Sequence, residues 1–204
     1  MLKKVTILSD THGHLTKDAH NVILGDYSVN QIYESYDLCI ENKERYVYSL
    51  NDKELHKKPD LIIHAGDIGC QTIVDVLESI CPLKAVLGNC DFLRYKSIEG
   101  IKNSLFFDFY GVKFYVAHKP HNLDYLINNV SENSSDANNN LILNVCIHGH
   151  THFPELKIKE NSYKTKTLYI CPGSALYPRY GSLRSIVNLY INNGCVHLVQ
   201  FIKI

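Results

Sequence analysis

The segment Cys146-Ile147-His148-Gly149-His150-Thr151-His152 sets three histidines at alternate positions. Upstream lie Asp10-Thr11-His12, Gly66-Asp67, Gly88-Asn89-Cys90-Asp91 and His118. Imidazole, carboxylate and amide oxygen form a donor set with no obvious thiolate. That set suits Mn, Fe or Zn better than Ca or a cysteine-rich structural zinc site. The seven candidates Asp10, His12, Asp67, Asn89, His118, His150 and His152 are too many for one tetrahedral ion. They suit two ions that share a bridging carboxylate. Two such ions clamp a phosphoester and activate an attacking hydroxide.

Each candidate follows an apolar run, which is how a strand would deliver it. Val5 to Leu8 reads as a short buried strand ending in Ser9-Asp10-Thr11-His12. Leu61 to Asp67 and Leu83 to Asp91 repeat the design. Between them Ile73, Val74 and Leu77 share one helical face. Strand, helix, strand is a βαβ unit, so these strands are expected to be parallel and buried on both faces. In open α/β sheets, sites form at the carboxyl ends of strands. The second half is richer in strand. Residues 105–118 read as a hairpin turning at Tyr110-Gly111, and residues 185–204 as another turning at Asn193-Gly194. Leu143 to Ile147 is a strand running into the triple-histidine segment. The residues thus describe an α/β chain with either one mixed sheet or two sheets packed together.

Two segments stand apart. Residues 25–58 are polar and rich in tyrosine, and Val29, Ile32, Tyr33, Tyr36 and Ile40 in them follow helical spacing. This predicts an added amphipathic helix covering part of the domain or another subunit. Its tyrosines are expected in a core or interface rather than on a base-stacking platform. Residues 128–140 are of low complexity and read as a surface loop. There is no internal repeat, so one domain over 1–204 with these two insertions is expected.

Composition narrows the classes. A 204-residue chain with 45% hydrophobic and 21% charged residues is a soluble globular composition. Net charge is zero, which argues against a nucleic-acid partner, although Lys3, Lys4, Lys57 and Lys58 could form a local basic patch. Seven cysteines without a C-x-x-C pair argue against a disulfide framework and for small core residues in a reducing compartment. No apolar run is long enough to span a bilayer, and Met1 leads straight into a strand-like segment. A cytoplasmic location is expected.

The motifs, in this order, resemble those of the calcineurin-like metallophosphoesterases, and most closely their small bacterial and archaeal phosphodiesterase subgroup. Cys171-Pro172-Gly173-Ser174 also resembles the Asn-Pro-Gly-Ser loop of that subgroup. The resemblance spans nearly the whole chain apart from the two segments above. It implies two mixed β-sheets packed as a sandwich flanked by helices. It implies one metal on Asp10, His12, Asp67 and His152, and a second on Asp67, Asn89, His118 and His150, with Asp67 bridging. Asp67, Asn89 and His118 would also serve catalysis. The implied activity is hydrolysis of small phosphodiesters by a metal-activated hydroxide, with Mn foremost and Zn, Fe or Ni as alternatives. The family often has glycine after its lone histidine, where this chain has Lys119, so His121 competes with His118. Where distant members often have histidine, this chain has Cys90, as the small subgroup often does. A strong leaving-group acid is therefore not expected there, and activated diesters should be preferred, with His14 as a fallback donor. The small subunit of the retromer sorting complex shares the implied fold and works chiefly by protein contact. A scaffold, either self-associating or with retromer-like partners, is thus the second reading, while a nuclease is disfavoured by the charge balance.

The remaining histidines and Arg179 have local readings. His148 is not expected to bind metal. His64 precedes Asp67 within a strand and reads as a satisfied structural residue. His20, His56 and His197 read as surface residues. Arg179 could contact phosphate or pair at the surface.

Overall fold

The computed structural model describes residues 1–38, 52–91, 98, 100–123, 144–160 and 166–204. Among the described residues, eleven strands fall into two mixed sheets. The first contains β1 (Lys3–Leu8), β2 (Ile32–Asp37), β3 (Leu61–His64), β4 (Leu83–Ala85), β10 (Ser185–Asn192) and β11 (Cys195–Lys203), in the order β2-β11-β10-β1-β3-β4. The second contains β5 (Ser104–Phe109), β6 (Val112–Ala117), β7 (Asn144–Ile147), β8 (Pro154–Glu160) and β9 (Lys166–Pro172), in the order β5-β6-β7-β9-β8.

Side-chain alternation along the central strands builds the layers. Ile7, Ile63 and Val187 face the second sheet and join Phe114, Val116, Val145, Ile147 and Ile170 in the inter-sheet core. Their neighbours Leu8, Ile62 and Ile186 face the other way. They meet α1 (Lys17–Leu24) through Ala19, Val22 and Ile23, and α3 (Gln71–Glu78) through Ile73, Val74 and Leu77. This is a helix-flanked sandwich. The βαβ reading of the sequence holds, since β1, β3 and β4 are parallel. β4 is the sheet edge and only partly buried, unlike β1 and β3. Both hairpins turn where the sequence places them. Tyr110 and Gly111 have φ of 52° and 82°, and Asn193 and Gly194 have 50° and 79°. Helix α1 carries signals the sequence reading passed over: Thr16 caps its N-terminus by accepting from the Ala19 N–H, and Gly25 closes it in the left-handed region.

The segment after α1 departs from expectation. Residues 32–37 are not helical. They form β2, paired antiparallel with the outer edge of β11, after a single turn of 3-10 helix at Val29–Gln31. Tyr33 and Tyr36 lie 6.0 and 6.1 Å from Phe201, ring to ring. The tyrosines do reach the core, but as strand residues. The helical spacing covered too few residues to nucleate a helix, whereas β11 offers a row of backbone partners. Ile40 and the 128–140 segment lie outside the described residues.

The chain returns through a short helix, α2 (Asp52–Leu55). Here Lys4 is fully buried, and its Nζ donates to the carbonyls of Leu55 and Lys57, each at 2.9 Å. Lys3 and Lys57 both pair with Asp60. Three of the four lysines that could have formed a basic patch are therefore used internally. His56 and His197 are not free surface residues either. His56 packs at a tilt against Tyr27, 4.7 Å between ring centres, and contacts the Gly25 carbonyl, and His197 is buried on β11. Of the six described cysteines, Cys146, Cys171 and Cys195 are buried, and Cys70, Cys81 and Cys90 only partly so. Among the described residues, no helix is long and apolar enough to cross a membrane.

Candidate metal centre

The loops that leave β1, β3, β4, β6 and β7 converge at one end of the sandwich. Those after β1 and β3 are laced in parallel: Asp10 N donates to Gly66 O, His12 N to Asp67 O and Gly13 N to Ile68 O. The Gly149 N–H donates to His118 O, joining the loops after β6 and β7. Bonds also cross between the sheets, among them Ala175 N to Ser9 O and His150 N to Asp10 Oδ2 at 3.2 Å. Asp10, His12, Asp67, His150 and His152 all adopt positive φ, between 48° and 68°. Few non-glycine residues do so, and such conformations persist where surrounding contacts over-determine them. Gly149 is small for a related reason. A Cβ there would overlap Ser9 Oγ and the Asp10 carboxylate.

Asp10, His12, Asp67 and His152 each bring a ligand atom within 4.8 Å of the others. His152 Nε2 lies 3.0 Å from Asp10 Oδ1 and 3.5 Å from His12 Nε2. His152 Nδ1 bonds the Tyr177 carbonyl, so in the neutral ring Nε2 carries a lone pair. A lone pair aimed at a carboxylate oxygen and at a second imidazole nitrogen needs a proton or a cation between them. His118 shows the same orientation. Its Nδ1 bonds the Ala65 carbonyl at 2.8 Å, and its Nε2 is turned 3.5 Å from Asp67 Oδ2. Backbone carbonyls holding the far nitrogen are what orient imidazole for metal binding.

On the far side of Asp67, the His118 and His150 rings meet edge to face at 5.2 Å. Asp10 Oδ1, Asn89 Oδ1 and His118 Nε2 are buried and make no hydrogen bond among the described residues. Buried polar atoms are rarely left so, and each needs an explanation. Three such atoms on the loops that bear the candidate ligands fit divalent cations better than an apolar core. His118 occupies this position, while His121 is exposed. Asn89 is turned by its Nδ2, which donates to Cys90 Sγ at 3.4 Å.

Electrostatics agree with a cationic occupant. Burial works against the charge of Asp67, but His118 and the Cys90 N–H outweigh it and hold the carboxyl well below its usual range. Burial likewise opposes charge on His118 and His152, yet the neighbouring carboxylates raise both. His150, desolvated and beside His118, is lowered. Burial, reinforced by Asp67 and Asp91, pushes the Cys90 thiol up to about 11.

Other predicted residues fall outside the cluster. His148 is buried, with Nδ1 against the Gly149 carbonyl. His64 is buried and bonds Thr11 Oγ1 at 2.9 Å, although its Nδ1 meets no partner among the described residues. Burial pushes it down to about 3, so it stays neutral. His14 and Arg179 are exposed at the rim. Two supporting residues escaped the sequence reading. Asp91 accepts from the N–H groups of Ile68, Gly69 and Gly88, tying the loops after β3 and β4 together. Ser9 donates to Asp10 Oδ2. Asp91 stood in the quoted motif, but its role depends on a loop 22 residues upstream.

Comparison with known proteins places this geometry. No curated protein matches the chain by sequence. Among solved structures, the chain is similar to a conserved protein of Streptococcus pneumoniae TIGR4 described as a predicted phosphoesterase. Identity is 18%, the TM-score is 0.57, and the match covers 100% of this chain and 90% of that one. It is also similar to Vps29 of Entamoeba histolytica complexed with Zn²⁺, at 14% identity and TM-score 0.57, covering 100% and 98%. Vps29 of Cryptosporidium parvum matches at 14% identity and TM-score 0.56, covering 100% and 99%. Those likenesses establish the fold. The model of the calcineurin-like phosphoesterase superfamily domain matches residues 4–194, and the chain belongs to that superfamily.

Proposed function

We propose that this protein is a cytoplasmic, single-domain phosphodiesterase that hydrolyses small phosphodiesters with two divalent cations, Mn foremost. Asp10, His12, Asp67 and His152 would hold one ion, and Asp67, Asn89, His118 and His150 the other. The observation that carries this reading is the set of buried atoms that make no hydrogen bond among the described residues, Asp10 Oδ1, Asn89 Oδ1 and His118 Nε2, all on the loops that bear the candidate ligands. When bound, two such cations neutralise phosphate oxygens and make water a nucleophile at neutral pH.

The chain's own residues do the positioning. The carbonyls of Ala65 and Tyr177 fix which nitrogen His118 and His152 present. The Cys90 N–H holds one Asp67 oxygen at 2.8 Å and leaves the other towards His118. A thiol is a weaker acid than imidazolium, so Cys90 is a poor leaving-group donor and diesters with good leaving groups should be preferred. All six described cysteines are thiols, which supports a reducing compartment.

The test is hydrolysis of bis(4-nitrophenyl) phosphate by chelated protein, before and after Mn²⁺ is added. Activity should be absent before and present after. Asp67→Asn should abolish it, because the shared ligand loses its charge. Full activity in protein shown to be metal-free by elemental analysis would overturn the mechanism. The likeness to Vps29 favours a second reading, a protein scaffold that keeps its metals. Stoichiometric metal without turnover of any mono- or diester would support it.

A further inference from the structure

The loop from Gly173 to Arg184 presents aromatic rings to solvent beside the metal centre. Tyr177 is 60% exposed and Tyr180 85%, with Phe153 at 43%. This is not a slack loop. Ser174 Oγ accepts from the N–H groups of Leu176 and Tyr177 and donates to the Asp10 carbonyl. Arg179 N donates to His152 O, and Ser182 Oγ to Arg179 O at 2.7 Å. The rings are therefore held in water by a backbone anchored to two candidate ligands. Grouped exposed apolar side chains mark binding surfaces.

Position says what would cover them. The Tyr177 ring lies 5.7 Å from the His12 ring, and the carbonyl of the same residue holds His152. Phe153 follows His152 directly and meets Tyr180 edge to face at 6.4 Å. A molecule whose phosphate sits at the metal centre would lay its next substituent against Tyr177. Arg179 is exposed on the same loop, bonded to the His152 carbonyl through its backbone N–H, and its guanidinium matches phosphate oxygens.

We infer that Tyr177 is a stacking subsite for a planar aromatic group carried by the phosphoester, a nucleobase or a simple aryl ring. This rests on the phosphodiesterase reading, and it narrows the substrate class. Aromatic platforms bind bases with little dependence on their identity, because every base has a π-face.

Calorimetry on Mn-loaded protein tests it without turnover. The probes are adenosine 5′-monophosphate, ribose 5-phosphate and phenyl phosphonate. The adenosine compound should bind about tenfold more tightly than ribose 5-phosphate, the factor one stacked base supplies. Tyr177→Ala should erase that advantage at unchanged metal content, and Tyr177→Phe should keep it. Phenyl phosphonate loses affinity in Tyr177→Ala if a simple aryl ring suffices. If only the adenosine compound does, the subsite is for a nucleobase. Equal binding of the adenosine compound and ribose 5-phosphate overturns the proposal, as does a preference that survives Tyr177→Ala. So does a Tyr177→Ala protein that changes only its self-association, since the rings would then be a protein interface. Diester hydrolysis without base selectivity removes the subsite alone, and selective binding without hydrolysis removes the phosphodiesterase alone.

Discussion

At the scale of residues, the site depends on side chains that never touch a substrate. Asp91 is the clearest. Its two oxygens accept from Ile68, Gly69 and Gly88, with Gly69 and Gly88 both at 2.7 Å. Asparagine keeps the shape but replaces one acceptor with an NH₂ that faces donors. Asp91→Asn should therefore cost about 2–4 kcal/mol, since each buried group left unmatched costs roughly 1–3 kcal/mol. Urea denaturation measures this. A loss below about 0.5 kcal/mol, the usual range for inert surface changes, would show that the loops hold each other without Asp91.

At the scale of elements, the 52–60 segment is joined to the six-stranded sheet by buried polar contacts. Lys4 donates to the Leu55 and Lys57 carbonyls, and the Tyr27 and Tyr190 hydroxyls also reach Leu55 O. Burial, with a smaller push from Lys57, takes Lys4 from its ordinary 10.5 down to about 7. A neutral amine has two N–H groups, which matches the two carbonyls. Between pH 7 and 10.5 the unfolded chain keeps this proton and the folded chain does not. Unfolding then takes up a proton, so stability rises with pH, by at most about 1.4 kcal/mol per unit. Denaturation at pH 7 and pH 9 should show the rise, and Lys4→Met should flatten it. An equal slope in both proteins would assign the effect elsewhere. Deleting residues 27–55 would remove β2 from the edge of β11 and strip Lys4 of one acceptor. That deletion is expected to destabilise the fold.

At the scale of the molecule, the candidate ligands are drawn from both sheets. Asp10, His12, Asp67 and Asn89 follow β1, β3 and β4, and His118, His150 and His152 follow β6 and β7. Only the native sandwich gathers them, so a bound ion should stabilise it by mass action. At a hundred times Kd the gain is about 2.7 kcal/mol. For a chain of this size that is roughly 5–10 °C in Tm. Scanning calorimetry with Mn²⁺ and with chelator should show the difference, and His152→Ala should shrink it. An unchanged Tm at every Mn²⁺ concentration would mean that no ion joins the sheets.

The amino-acid sequence by itself determined what is local. Alternating or continuous apolar runs ending in Asp, Asn and His announced strands with candidate ligands at their tips. Tyr110-Gly111 and Asn193-Gly194 announced turns, because few residues tolerate positive φ. The motif order was enough to indicate the superfamily and its sandwich. Tertiary structure decided what depends on partners far along the chain. Residues 32–37 became a strand because β11 lies beside them, against their own helical spacing. Lys4, a possible member of a basic patch by sequence, is buried with its Nζ on the Leu55 and Lys57 carbonyls, and His197, expected at the surface, is buried on β11. The exposure of Tyr177 beside His12 follows from Ser174 reaching Asp10, a hydrogen bond across 164 residues. Backbone propensity acts over a few residues, whereas burial and hydrogen bonding act across the packed interior. A residue's neighbours in space therefore settle roles that its neighbours in sequence leave open.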